Sequence, residues 1–278
     1  MHDERILILT PFRNESHSFS LYLESLCGLN YPKKLIDVFW LENDSSDDTL
    51  RMLEKGQYET PLNSVILKSI NILGAVKKRR PGRYVKDIRR GKGRRLPPWY
   101  VIWNDNFLPL IRESDADYVL CWYADLVAPS NVITEYLKVF EKHKDAGWVG
   151  GAMHRRYPYH EELAFPRPFN LAKSKEIIEV PYIGHCWMCP RSALGQTELS
   201  PISSTTRDIH QSLIFDLHNQ GLKVYYQPSV YLQHISTDGK IYKHEIEPHE
   251  DGWIYLRKKD RIKELLKRFK NNILSVQA

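Results

Sequence analysis

The chain has 278 residues, 42% of them hydrophobic and 27% charged, with a formal net charge of +6 and four cysteines. That allows one large α/β domain or two small ones with ample core. It excludes a bundle of membrane spans, because no run approaches the roughly 18 apolar residues a span needs, and a disulfide framework, for which the cysteines are too few. The opening MHDERILILTPF lacks a signal-peptide layout, so a cytoplasmic protein is expected in preference to a domain trimmed of an anchor.

In chain order, RILILT (5–10) predicts a buried strand stopped by Pro11. Residues 18–29 place Phe19, Tyr22, Leu23 and Leu26 at helical spacing, and NYP ends that helix. A second strand is expected over 35–43, then a helix opening at DSSDDTLRMLEKG with acids in its first turn. SVILKSI (64–70) reads as a third strand, PPWYVIWNDNFLPLIRES as a helix with proline at its entrance, and DYVLCWYAD (117–125) as a fourth strand. Residues 129–147 predict an amphipathic helix capped by Ser130, with Val132, Tyr136, Val139 and Phe140 on one face. Further on, GWVGGAM, IGHCWMC, LKVYY and SVYLQHI read as strands, TTRDIHQSLIFDLHNQG as a helix ending at Gly221, and DGWIYLRKKDRIKELLKRFK as a basic terminal helix.

Alternating strands and helices through the first half imply a three-layer α/β/α, Rossmann-like fold with a mainly parallel, mixed sheet. With no repeat and no clear linker, a single domain over 1–278 is the simplest account. Within it, 1–127 would form a nucleotide-binding half, 128–255 an acceptor half and 256–278 the basic helix. The charge is uneven. Residues 77–95, KKRRPGRYVKDIRRGKGRR, hold eleven Lys/Arg and one Asp, a local charge of +10 that leaves −4 for the rest of the chain. Such a segment cannot pack and is expected to be mobile when unliganded.

Two aspartate patterns compete for a metal. Asp115-Ala116-Asp117 is an intact Asp-x-Asp, but it precedes the apolar run YVLCWY and so belongs at the amino end of a strand. Asp125 follows that run and emerges at the carboxyl end, where ligands bind in open parallel sheets. The first pattern therefore reads as a turn, and Asp125 as the metal candidate.

The order and spacing of four segments resemble the GT-A nucleotide-sugar glycosyltransferases, nearest the fungal mannan polymerase subunit family within the larger family-2-like group. ILILTPFRNE is similar to the first strand and its nucleotide loop, LENDSSDDT to the segment after the second strand, and CWYADLV to the metal motif. RDIHQSLIFDLHNQGLKVYYQPSVYLQHI is similar to the later acidic helix and the strand that ends in a metal-binding His. Two positions depart from the family: Tyr123 stands at the first Asp of the metal motif, and Arg207 at the Glu of an acidic pair.

The resemblance implies a UDP-sugar or GDP-sugar donor and Mn²⁺ or Mg²⁺, held by Asp125 and His234 with oxygen ligands from the donor diphosphate. It implies that Thr10, Pro11, Arg13, Asn14, Glu15, Glu42, Asn43, Asp44, Tyr123, Ala124 and either Asn104 or Asn106 line the donor site. Asp208 would orient the acceptor hydroxyl as base, although an acid opening a helix is also favoured by the helix dipole alone. Cys186 and Cys189 form the one Cys-x-x-Cys. With no second pair at zinc-finger spacing they read as buried strand residues on opposite faces, while His185 and Trp187 beside them would contact a sugar.

Lys77, Arg79, Arg80, Arg89, Arg90, Arg94 and Arg95 would neutralise phosphate. Their excess over what one diphosphate can use points to a polyanionic acceptor, with nucleic acid the natural candidate and a hydroxymethylated DNA base, as in viral genomes, the specific expectation. In that case the protein would work in the host-cell cytoplasm. The alternative is a glycan, protein or lipid-linked acceptor at an anionic membrane surface. A non-catalytic nucleic-acid-binding module on the same scaffold is the reading of another class. Oligomeric state is not legible.

Overall fold

The computed structural model describes residues 3–72, 98–153, 176–184, 186–199, 209–235, 239 and 241. The strands are β1 (Ile6–Phe12), β2 (Ile36–Asn43), β3 (Ser64–Ile70), β4 (Tyr118–Cys121), β5 (Leu126–Val127), β6 (Ala146–Met153), β7 (Ile178–Glu179), β8 (Trp187–Pro190) and β9 (Lys223–His234). The helices are α1 (Phe19–Cys27), α2 (Thr49–Glu59), α3 (Pro98–Ile102), α4 (Leu108–Glu113), α5 (Val132–Lys142), α6 (Arg191–Gly195) and α7 (Ile209–Asn219), with a π-helical turn, Trp103–Phe107, joining α3 to α4.

Among the described residues, nine strands make one sheet in the order β3-β2-β1-β4-β8-β6-β9-β5, with β7 also paired to β9. Strands β1 to β4 run parallel, β8 is inserted antiparallel, and β6 and β9 are again parallel to each other. Side-chain alternation sends Leu7, Leu9, Phe39, Leu41, Val119 and Cys121 to one face, beneath the helical stretch 98–113, α6 and α7. Ile6, Ile8, Val38, Trp40, Leu120 and Trp122 go to the other, beneath α1, α2 and α5. The three-layer, mainly parallel mixed α/β architecture is as expected.

Where elements differ from expectation, local chemistry accounts for it. β1 continues through Pro11 to Phe12 because β4, whose last partner is Leu9, has already turned away, so on that side the missing N–H costs nothing. LKVYY and SVYLQHI form one strand rather than two. Pro228 lies in an irregularity where the register jumps from Gly151↔Gln227 to Ala152↔Tyr231. α5 begins at Val132 after Asn131, so Ser130 is not its cap; no side chain caps it, and the Ser130 carbonyl instead accepts Asn30 N–H. Helix α7 closes at Gly221, φ 77°, in a Schellman arrangement: Leu222 N–H donates to Leu217 O and Gly221 N–H to His218 O. The expected terminal helix lies outside the described residues. Among the described residues, no helix is long and apolar enough to cross a membrane.

Candidate functional site

The chain passes from β1 to β2 and β3 on one side, then returns to β4 on the other. The carboxyl ends of β1 and β4 therefore face a topological switch point, where open α/β sheets bind ligands. At its floor, residues 123–126 make a tight turn: Leu126 N–H donates to Tyr123 O at 3.1 Å, which places Ala124 and Asp125 at its centre. The buried Trp122 indole donates to Leu126 O at 2.9 Å and anchors the turn to the core beside Tyr22. β5 then pairs antiparallel with β9, setting Leu126 opposite His234, while Ile235 N–H donates to Asp125 O at 2.8 Å. Two residues over a hundred positions apart in sequence are thus neighbours by backbone register, with Asp125 half-buried and His234 buried.

At the opposite end of β4, Asp115 and Asp117 attach to Arg5, just before β1. Arg5 N–H donates to Asp117 Oδ2 at 2.8 Å, and the Arg5 guanidinium lies 3.4 Å from Asp115 and 2.9 Å from Asp37. Burial alone would raise the Asp37 carboxyl, but hydrogen bonds from Ser64, Asn63 and Arg5 outweigh it and hold it below its usual range. The intact Asp-x-Asp is a brace at the amino end of the sheet.

The loops after β1 and β2 are stitched together across the cleft. Asn14 and Asp44 both adopt left-handed backbone, φ 55° and 53°, which Asn and Asp tolerate better than other non-glycine residues. Asn14 Oδ1 accepts Ser46 N–H at 2.7 Å, Asn14 N–H donates to Ser45 Oγ, and Glu15 N–H donates to Thr49 Oγ1. Asp47 accepts from Ser16 and Thr49. Burial pushes against ionisation there, but these hydrogen bonds outweigh it and draw the carboxyl down to about 2.

These contacts sort the expected donor residues. Arg13 and Asn14 are exposed, while Glu15 and Asp44 are half-buried, the latter accepting Ile72 N–H. Thr10 is turned into the core, its hydroxyl 2.7 Å from that of Tyr22, and Pro11 is buried; any donor contact there falls to the backbone. Glu42 and Asn43 are buried, with Glu42 accepting from Ser45 N–H and Ser69 Oγ, so they shape the loop rather than line it. Asn106 is buried and donates back to Val101 O in α3, whereas Asn104 is half-buried and donates to Asp105; Asn104 is the better placed of the two.

Trp187 corrects an expectation. It is fully buried, stacked at 3.6 Å on Trp148 and 5.5 Å from Trp103, and so supports the site from beneath instead of touching a sugar. Cys186 and Cys189 are free, buried thiols assigned to opposite faces of the sheet, and burial raises both pKa values. Lys77, Arg79, Arg80, Arg89, Arg90, Arg94, Arg95, His185, Arg207 and Asp208 lie outside the described residues.

Sequence reasoning missed two residues. His210, one residue into α7, sits 2.7 Å from the Tyr123 hydroxyl and ties that helix to the turn carrying Asp125. Gly239, φ 76°, lies between the partners of the Ile235↔Ile241 bridge, and a Cβ there would meet the His17 carbonyl oxygen at 2.8 Å. The Asp-Gly pair at 238–239 was its available signal.

Among the described residues, no three His, Cys, Asp or Glu gather as a metal site. Asp125 and His234, neighbours by backbone register, offer one carboxylate and one imidazole, residue types that suit a borderline-hard divalent ion completing its shell with phosphate oxygens.

The family model described as Anp1 matches residues 1–90. The mannan polymerase II complex anp1 subunit of Schizosaccharomyces pombe is 35% identical over 52 residues, 19% of this chain and 12% of that protein. S. aureus TarS 1–349 aligns with TM-score 0.51 at 14% identity over 81% of this chain and 60% of its own; the same protein in complex with UDP-GlcNAc aligns with TM-score 0.51 at 13% identity over 82% and 58%. The mannosyltransferase PcManGT from Pyrobaculum calidifontis, in complex with GDP-Man and Mn²⁺, aligns with TM-score 0.57 at 15% identity over 86% of this chain and 59% of its own. The chain spans about three-fifths of these solved chains and far less of the fungal relative. The fold is that of the GT-A glycosyltransferases.

Proposed function

We propose that the chain is a glycosyltransferase that moves a sugar from a nucleotide-diphosphate donor to an acceptor hydroxyl. The observation that carries this reading is the turn at 123–126. It presents Asp125 at the switch point of a GT-A sheet and is pinned by β5–β9 pairing next to His234. Bound there with the donor, Mn²⁺ or Mg²⁺ would neutralise negative charge on the departing diphosphate. Asp125 and His234 are the residues that would hold it.

The other roles follow from placement. The stitched loops at 13–15 and 44–47 form a preorganised rim for base and ribose, so little ordering remains to be done on binding. Arg13, exposed at that rim, supplies positive charge toward phosphate. Asp208 keeps the role of acceptor base that the resemblance implies; in sequence it directly precedes the residues of α7, whose His210 reaches the Asp125 turn.

For the acceptor we favour a glycan. The fungal relative is by name a mannan polymerase subunit, and a fold neighbour is a mannosyltransferase bound to GDP-Man. The second reading, a nucleic-acid acceptor, is favoured by the +10 charge of residues 77–95. A donor screen by slow hydrolysis, without acceptor, tests the activity: release of UDP or GDP that requires divalent metal supports transfer chemistry, and no release from any sugar nucleotide contradicts it. Offering the hydrolysed donor together with mannan oligosaccharides or hydroxymethylated DNA then separates the acceptors by which becomes labelled.

A further inference from the structure

Beneath the turn that carries Asp125 lies a stack of aromatic rings. Trp103, Trp148 and Trp187 stack face to face, with interplanar angles of 20° for both Trp187 pairs. His210 abuts all three, with centroid distances of 6.3, 6.0 and 5.9 Å and near-perpendicular planes. The Trp148 indole donates to Ile183 O, but the buried indole N–H groups of Trp103 and Trp187 have no hydrogen-bond partner among the described residues. Each such donor costs about 1–3 kcal/mol. The stacked rings give this part of the core a fixed shape.

What the shape fixes is His210, held by rigid rings on several sides and 5% exposed. His210 in turn holds the Tyr123 hydroxyl at 2.7 Å. Tyr123 is the first residue of the turn bearing Asp125, and its ring packs edge-on, at 5.8 Å, against Trp99, which is 42% exposed. Tyr123 therefore bridges buried platform and open cleft. A phenol is neutral at working pH and a poor ligand for a hard cation beside a carboxylate, so its contribution at this position is a hydrogen bond and an aromatic wall.

We propose that His210 is a positioning residue that acts through Tyr123, orienting its hydroxyl as a neutral hydrogen-bonding contact to the nucleotide-sugar donor beside Asp125. This rests on the reading of the site as a sugar-nucleotide site. It leaves the divalent ion to Asp125 and His234, and assigns Tyr123 to donor affinity rather than to charge neutralisation in the transition state.

The test is a double-mutant cycle on the full-length protein. Donor Kd is read by isothermal titration and KM and kcat by donor turnover, with UDP- or GDP-sugar chosen by which binds wild type. Tyr123→Phe and His210→Ala are each expected to weaken donor binding about fivefold, the worth of one hydrogen bond, with kcat changed less than KM. His210→Gln, whose amide can stand in for Nε2, should recover most of the affinity. The double variant should bind no more weakly than Tyr123→Phe alone. Multiplying losses in the double variant, or unchanged Kd in Tyr123→Phe, overturns the inference. Thermal unfolding and near-ultraviolet dichroism of the tryptophan stack identify a His210→Ala protein that has lost its core, in which case Tyr123→Phe and His210→Gln decide the matter. Failure of wild type to bind any sugar nucleotide overturns instead the reading of the site on which the inference stands.

Discussion

The two ends of β4 carry nearly the same short sequence, Asp115-Ala116-Asp117 before it and Tyr123-Ala124-Asp125 after it, and the fold gives them opposite tasks. The first lies where strands begin, and its carboxylates are engaged by Arg5. The second lies where the sheet changes direction, in a turn fixed by a buried indole and by the strand that delivers His234. A motif match counts acids; the direction of the strand decides what the acids face. The more complete motif braces the sheet, and the one interrupted by tyrosine carries the candidate chemistry.

The sharpest way to break this comparison is to neutralise one aspartate at each end. Asp125→Asn keeps shape and turn geometry, and is expected to lower metal-dependent donor turnover by about a hundredfold or more while leaving the unfolding midpoint near wild type. A second variant asks whether the whole carboxyl end is functional. Asp47 sits there too, yet its hydrogen bonds serve the loops, so Asp47→Asn should cost about 1–2 kcal/mol of stability with donor turnover reduced far less than in Asp125→Asn.

Asp47 also has a pH signature. Its folded carboxyl lies below the ordinary 3.8, at about 2, so its contribution is fully present above 3.8 and is lost as pH falls toward 2. Acid unfolding followed by dichroism should show a shallower loss across that window in Asp47→Asn. At the amino end, Asp117→Ala removes the acceptor of Arg5 N–H and should cost about 1 kcal/mol without changing turnover. Asp115→Ala removes a longer, more exposed contact and should fall within about 0.5 kcal/mol of wild type. An Asp117→Ala or Asp115→Ala protein with impaired turnover would collapse the distinction between the two ends.

Much of this was legible in the sequence for physical reasons. β3 spans the expected 64–70, because β-branched and aliphatic residues stand between polar punctuation. The end of α7 was fixed by Gly221, since few other residues tolerate that backbone. The side of the sheet occupied by Asp125 followed from strand direction alone. Side-chain orientation was harder to read: Thr10 and Glu42 belong to the right loops but point into buried hydrogen bonds. Trp187 has the right address and lies in the core. His210 was invisible because its importance comes from a tertiary contact 87 residues away in sequence, with no local pattern to announce it. β9 was split at Pro228 because a proline in a strand reads as a break until a neighbouring strand supplies the irregularity that absorbs it.

The central claim is that Asp125, and not the intact Asp-x-Asp, serves a sugar nucleotide. Isothermal titration of UDP- and GDP-sugars into wild type, Asp125→Asn and Asp117→Ala, each with and without Mn²⁺, tests it most directly. The account predicts Mn²⁺-dependent binding by wild type and by Asp117→Ala, and its loss in Asp125→Asn. Binding by Asp125→Asn indistinguishable from wild type, or no binding by wild type under any condition, would contradict it.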